Sequence, residues 1–333
     1  MNRRSVRIGV IGGGYWGKNI IRTCADLDVL AGVCDTSRQV LQRVERDYPG
    51  VAVFEDAEQL LDASIDAVAI AAPAELHAEL ALAAFARQKH VFVEKPMAMS
   101  LDEGERMVAA AEAAKCQLFV GHVLLYHPAV RKIQALLADN IIGRVWHVRS
   151  RRLGLGKLRQ RETVWWSFAP HDIALMLSVI GEEPTSATGS RAGWLSLRIP
   201  DIAYADFQFS QGRTAHVEVG WLDPHKASRL DIFGTSGVIT FEDLRDNFRL
   251  SVCHAGSRPD DRGVLRIWRG ESYEVAVEPA EPLREEMVAF LTSIRFGLPA
   301  ESDGREGLAV LRALKMVDEA WSHAQPSFSE AVV

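Results

Sequence analysis

A six-residue glycine turn, Gly12-Gly13-Gly14-Tyr15-Trp16-Gly17, follows directly on a short apolar run at residues 7–11 and precedes a stretch with helical patterning. Gly12, Gly14 and Gly17 satisfy the GxGxxG spacing, and each position has a physical purpose. The first glycine allows a tight turn, the second lets backbone approach a pyrophosphate, and the third lets the helix lie close on the strand, while the helix N-terminus attracts the anion. The next apolar run, 30–34, ends in Cys34-Asp35, where an acid 18 residues after Gly17 is placed to bind the adenosine ribose hydroxyls. Strand, turn, helix, strand and acid together predict a dinucleotide site, with Tyr15 and Trp16 beside the cofactor. Asp35 favours NAD because a carboxylate repels a 2′-phosphate, whereas Arg38 leaves NADP open.

Around that site short apolar runs alternate with amphipathic stretches, as in a parallel sheet with crossover helices. Strands are expected at 7–11, 30–34, 51–54, 67–71, 90–93 and 117–120, six in all, enough for a complete Rossmann sheet. Helices are expected at 75–88 and at 101–114, the latter opened by a capping box of Ser100 and Glu103. After about residue 122 a helix at 127–138 is followed by strands at 145–151, 186–197, 202–209, 214–221, 228–233 and 237–241. Most of these follow one another without intervening helices, which predicts a largely antiparallel open sheet. Helices return at 281–296 and 304–323. The fold class is thus an α/β Rossmann domain, 1–122, and an α+β domain for substrate binding and oligomerisation, 123–333, with its last helices packing back on the first. A length of 333 residues suits two cores.

The net charge of -6 argues against a general nucleic-acid binder. No stretch approaches the roughly 20 apolar residues of a membrane span, and the N-terminus has no signal-peptide core, so a cytoplasmic protein is expected. Cys24, Cys34, Cys116 and Cys253 form no CxxC pair, and the ten histidines include no HExxH, so no metal is expected.

Further along, Ala72-Pro73 follows the fourth strand, Glu94-Lys95-Pro96 the fifth, and Gly121-His122 ends the sixth. Tyr126-His127-Pro128-Ala129 opens the next helix, and the tail carries Glu281-Pro282-Leu283 and Glu306-Gly307-Leu308. With the glycine turn, this combination resembles the Gfo/Idh/MocA oxidoreductase family over nearly the whole chain. The resemblance implies oxidation or reduction of a hydroxyl of a sugar, cyclitol or related molecule, with Lys95 and His171 as catalytic residues. It also implies a homodimer or homotetramer. The segment Trp165-Trp166-Ser167-Phe168-Ala169-Pro170-His171-Asp172 is similar to the nucleotide-sugar 3-dehydrogenase branch, which oxidises the 3-hydroxyl of a UDP-linked N-acetylhexosaminuronate. Many relatives carry an aspartate four residues before the histidine, where this chain has Ser167.

Removing hydride from an alcohol carbon requires the hydroxyl proton to leave too, so a group titrating near neutrality must be within hydrogen-bond reach. Pro170 and His171 are expected to open a helix stopped at Gly181, putting the imidazole near a positive dipole end that keeps it neutral. Lys95, at the carboxyl edge of the sheet, either steadies an alkoxide or is itself the acid/base. Glu94, Ala72, Pro73 and His77 are candidates for the cofactor side, His77 equally for a cap or surface residue. His122, Tyr126 and Trp166 are candidates for the substrate side, the two aromatics equally for core packing. Arg149, Arg151, Arg152, Lys157, Arg159 and Arg161 crowd one short stretch. They read either as a solvated loop or as an anion clamp for a sugar carboxylate or diphosphate, with Arg152 and Lys157 as its leading members. Three other functions fit parts of the pattern: an NAD-dependent glycosidase working by transient C3 oxidation, an inositol or other sugar dehydrogenase, and a dinucleotide sensor that does no chemistry.

Overall fold

The computed structural model describes residues 5–156, 162–195, 199–243 and 247–323. The chain divides into two compact units. One is formed by the chain up to Tyr126 together with Glu281–Leu311, the other by His127–Ala280 together with the chain from Arg312 on. The boundary expected at 122/123 therefore lies four residues later. The segment Glu281–Leu311, expected within 123–333, is part of the first unit.

The first unit holds a parallel sheet of β1 (Ile8–Ile11), β2 (Leu30–Cys34), β3 (Ala52–Phe54), β4 (Ala67–Ile70), β5 (His90–Glu94) and β6 (Leu118–Gly121), in the order β3-β2-β1-β4-β5-β6. All five pairings are parallel. Residues of β1, β4 and β6 are buried at every position, which is why these strands read as unbroken apolar runs. The crossovers are α1 (Gly17–Asp26), α2 (Arg38–Asp47), α3 (Ala57–Asp62), α4 (His77–Ala86) and α5 (Leu101–Ala114). Ser100 caps α5 as its spacing predicts, accepting from the Glu103 N–H at 3.2 Å. Strand order reverses between β1 and β4, so the carboxyl ends of these two strands flank the crevice where such sheets take ligands.

The second unit opens with α6 (Pro128–Ala138), whose N-cap His127 accepts from the Ala129 N–H. Its sheet contains β7 (Val145–Leu155), β8 (Ser186–Ala192), β9 (Ile202–Gln208), β10 (Thr214–Gly220), β11 (Leu222–Gly234), β12 (Gly237–Asp243), β13 (Phe248–Pro259) and β14 (Leu265–Glu274). The order is β14-β13-β12-β11-β7-β10-β9-β8, antiparallel except where β7 meets β10. One face packs on α7 (Val164–Ile180), an apolar helix capped by Thr163 and stopped by Gly181 at φ +79°. β13 and β14 are absent from the sequence reading. β14 is exposed along nearly its whole length and has no buried face to impose an alternating pattern, so only its ladder to β13 defines it. Two more helices follow among the described residues, α8 (Pro282–Phe296) and α9 (Gly304–His323). In the first unit Phe290 of α8 packs on Phe92 and Phe119 at ring separations of 5.8 and 5.4 Å.

Candidate active site

The glycine turn stands at the carboxyl end of β1. Gly12 has φ +93°, and a Cβ there would meet the Ala71 carbonyl oxygen at 2.7 Å. A Cβ on Gly17 would come within 1.9 Å of the Gly12 carbonyl oxygen, so only glycine lets α1 start this close to the strand. Gly14 faces open space. The turn thus has room for a pyrophosphate against a helix N-terminus, and the cradle fits a dinucleotide. Asp35 sits at the end of β2 and shapes the rim. Its Oδ2 accepts the Gly13 N–H and its Oδ1 the Ser37 N–H, both at 2.7 Å, which leaves further lone pairs for ribose hydroxyls. Arg38, 78% exposed at its side chain, is paired with Glu55. We expect Gly17→Ala to weaken NADH binding about tenfold or more, read by fluorescence titration. Unchanged affinity would mean that the close approach of α1 has no role in the site.

On the same sheet edge, Glu94 and Lys95 follow β5. The Trp16 indole N–H donates to Glu94 Oε1, and the Lys95 backbone N–H lies 3.3 Å from Glu94 Oε2, so one carboxyl ties the glycine turn to the lysine segment. Burial pushes Glu94 up to about 7, against the opposing pull of Lys95. His77, a candidate for the cofactor side, is instead a buried strut. Its ring nitrogens lie 2.9 Å from the Pro96 carbonyl and 3.0 Å from the Ala72 carbonyl, joining the loops after β4 and β5, and burial lowers its pKa. The Lys95-Pro96 peptide is cis.

His122 and Tyr126 are also buried rather than facing outward. Tyr126 stacks on Phe119, and its hydroxyl lies 3.0 Å from Ser302 Oγ; burial raises its pKa. His122 Nδ1 lies 2.6 Å from Glu306 Oε2. The sequence reading misses Glu286 and gives Glu306, part of the tail motif, no role beside these groups. A signal for Glu286 exists: it shares the buried stripe of α8 with Leu283, Met287 and Phe290, where an apolar residue is the rule.

In the second unit His171 lies in the middle of α7, not at its start. Thr163 Oγ1 accepts the Trp166 N–H at 3.3 Å and begins the helix two turns earlier than expected, and Pro170 is accommodated inside it. The dipole argument for a neutral His171 therefore fails, because that field is confined to the first turn. Ser167, also buried, occupies the position one turn before. Trp165 is a core residue, and the Trp166 indole N–H is held by Asp318 Oδ2 at 2.8 Å.

The basic run does not form one clamp over its described part. The strand period of two places Arg149 and Arg151 on one face of β7 and Arg152 on the other. Arg149 bonds Asp231, its cross-strand neighbour, at 2.8 Å, and Arg151 bonds Glu218 at 2.7 Å. With His216 and Arg229 these four side chains line a surface hollow of about 440 Å³. Arg152 donates to Asp172 Oδ2 at 2.7 Å and Oδ1 at 3.3 Å, and Ser150 Oγ donates to the same carboxylate at 2.5 Å. The charge of Arg152 is thus spent on fixing α7 to β7 beside His171. Lys157, Arg159 and Arg161 lie outside the described residues. Because Asp172 is 1% exposed, Arg152→Leu should cost about 3 kcal/mol by stranding a buried carboxylate, seen as a lower urea midpoint. An unchanged midpoint would show that this pair is not what secures the helix.

A family model described as the oxidoreductase family with NAD-binding Rossmann fold matches residues 6–122, and the GFO/IDH/MocA C-terminal domain matches residues 130–240. The chain is 27% identical over 313 residues to the UDP-N-acetylglucosamine 3-dehydrogenase of Acidithiobacillus ferrooxidans, over 94% of this chain and 96% of that one. A solved structure of that enzyme has a TM-score of 0.83 over 95% and 98% of the two chains. A solved structure from Magnetospirillum magnetotacticum MS-1 is 30% identical, with a TM-score of 0.81 over 94% of this chain and 100% of its own. The WlbA dehydrogenase from Bordetella pertussis, solved in complex with NADH and UDP-GlcNAcA, shares the fold at 23% identity, with a TM-score of 0.78 over 95% and 96% of the two chains. The chain belongs to the Gfo/Idh/MocA family of NAD-binding oxidoreductases.

Proposed function

We propose that this protein oxidises the C3 hydroxyl of a UDP-linked 2-acetamido sugar, a hexosaminuronate or the parent N-acetylhexosamine, with NAD as the hydride acceptor. The observation that carries the reading is the position of Lys95. It stands one residue past β5 on the sheet edge that bears the dinucleotide cradle, in a segment tied to that cradle through Glu94 and Trp16. Bound at the glycine turn, NAD supplies the nicotinamide that takes the hydride. Gly12, Gly14 and Gly17 hold the pyrophosphate and Asp35 the adenosine ribose. Tyr15, Trp16, Ala72, Pro73 and Glu94 complete the cradle. Lys95 takes the hydroxyl proton, as a base must for the carbonyl to form. His171 is assigned the second proton-handling role by the resemblance of its segment.

The substrate class follows from the relative that acts on UDP-N-acetylglucosamine and from the fold-mate that holds UDP-GlcNAcA. Arg149, Arg151 and Arg152 are already matched by carboxylates, which weakens the case for a dedicated uronate clamp and brings the uncharged sugar into the class. Asp35 on the rim, with Arg38 offset by Glu55, favours NAD over NADP. No helix among the described residues is long and apolar enough to cross a membrane, in keeping with a cytoplasmic enzyme. The sheet face bearing Arg149 and Arg151 is proposed to join copies into a homodimer or homotetramer, which sedimentation would read. The deciding experiment incubates the protein with NAD and, in turn, UDP-N-acetylglucosamine, its uronate and myo-inositol while absorbance at the NADH band is followed. Absorbance growing with a UDP-sugar supports the reading, and growth with inositol alone removes the nucleotide-sugar claim.

A further inference from the structure

The loops that follow β1, β4 and β5 are pinned to one another at the carboxyl edge of the parallel sheet. Gly12 lies so close to the loop after β4 that a Cβ on it would meet the Ala71 carbonyl oxygen at 2.7 Å and the Ala72 nitrogen at 2.9 Å. The Trp16 indole joins the glycine turn to Glu94. His77, 1% exposed at the start of α4, spans the remaining gap, with Nδ1 2.9 Å from the Pro96 carbonyl oxygen and Nε2 3.0 Å from that of Ala72.

Both partners of this ring are carbonyl oxygens, which accept and cannot donate. A neutral imidazole has one N–H and one lone pair, so it donates to one carbonyl and turns a lone pair on the other; an imidazolium donates to both. At 2.9 and 3.0 Å both distances are those of made hydrogen bonds, the geometry of the charged ring. Burial, the largest influence, pulls the pKa of His77 below the ordinary 6.5, and Lys95 pulls the same way, while the two carbonyls and Glu75, in the turn before α4, oppose it. The doubly hydrogen-bonded form is accordingly present in mild acid and is lost as pH rises through that lowered pKa. The Pro96 contact is fully buried and the Ala72 contact only partly so, and an unpaired carbonyl costs more the less water reaches it. The neutral ring therefore keeps its proton on Nδ1, toward Pro96, and lets Ala72 go.

We propose that His77 is a positioning residue for the dinucleotide, acting through the Ala72 backbone. Charged, it draws the loop after β4 onto the Lys95-Pro96 segment and firms one bank of the crevice between β1 and β4; neutral, it holds Pro96 alone and leaves that bank loose. The inference rests on the dinucleotide cradle assigned to that crevice. A cofactor that binds the firm bank better is bound with uptake of a proton from solvent, and by reciprocity it raises the proton affinity of His77 by the same factor.

The test is the NADH affinity of the full chain, read by fluorescence titration from about pH 8 down to 5, the range in which histidines titrate. The Kd should fall about tenfold toward acid, with an inflection that His77→Gln abolishes. A glutamine has one donor nitrogen and one acceptor oxygen, as the neutral ring has, so the variant should bind at every pH as wild type does at the alkaline end. NMR of the wild-type protein supplies a readout that a merely structural histidine would not move. Its neutral ring should carry the proton on Nδ1, the Ala72 carbonyl ¹³C signal should shift in step with the ring's titration and more than that of Pro96, and NADH should raise the pKa of the ring. A neutral ring protonated on Nε2, an Ala72 signal indifferent to the titration, or a pH dependence of affinity that survives in His77→Gln overturns the clasp. Should the variant not fold, the wild-type titrations decide alone. If NADH binds at no pH the cradle reading fails, while the Ala72 signal still decides whether the ring releases that loop.

Discussion

Lys95→Ala is expected to lower kcat for the UDP-sugar by about 10²- to 10⁴-fold, the range lost when a positioned proton-transfer group is removed, while the Kd for NADH stays within a few-fold. The separation is expected because the proposed dinucleotide cradle is built elsewhere, from backbone at the glycine turn and from Asp35. Truncation beyond the Lys95 backbone leaves the buried Glu94 carboxyl and the His77 strut in place. Lys95→Arg separates charge from proton transfer: a guanidinium retains the positive charge and does not deprotonate in this pH range. It should be nearly as inactive as the alanine variant if Lys95 is the base, and substantially active if only its charge matters. Parallel loss of NADH binding and kcat in both variants would instead make Lys95 a structural residue of the cradle.

Glu286→Gln should stabilise the protein at neutral pH and lose that advantage in acid. In the folded chain Glu286 is a neutral acid, held so by burial and by Glu94 and Glu306, whereas in the unfolded chain it ionises near 4.5. Above that pH the folded state binds the extra proton, so wild-type stability falls as pH rises, by up to about 1.4 kcal/mol per pH unit while the folded acid stays protonated. Glu94 acts in the same direction, its contribution being lost between about 4.5 and 7. A glutamine at 286 fills the same space and has no proton to lose. The variant should match wild type near pH 4.5 and exceed it by about 3 kcal/mol at pH 7, measured by urea unfolding across that range. A difference that does not change with pH would show that Glu286 does not titrate on unfolding.

Much of the first unit was legible because its signals are local. All six strands of the parallel sheet fall within a residue or two of the expected bounds, since strands buried on both faces leave unbroken apolar runs. The Ser100 cap and the glycine turn act within a few residues of themselves. The second unit was harder. β7 and β11 extend beyond the runs that announced them, and β14 has no buried face at all. His171 was placed at a helix start because Pro170 suits one, and only the cap at Thr163 shows where α7 begins.

The chain's own order of residues determined the parallel sheet, the dinucleotide turn and the position of Lys95 at a strand end, because strand period, turn chemistry and helix capping are all written within a few neighbours. Pairing across the fold decided the rest. Which carboxylate neutralises Arg149, Arg151 or Arg152, and which face of β7 each points from, depends on strands up to 82 residues away. The same holds for Glu94, His122, Glu286 and Glu306, spread over some two hundred residues of chain and brought together in the first unit. The protonation of Glu94 and Glu286 is set by loss of water and by neighbouring charge, and both come into being only when the tertiary structure closes around them.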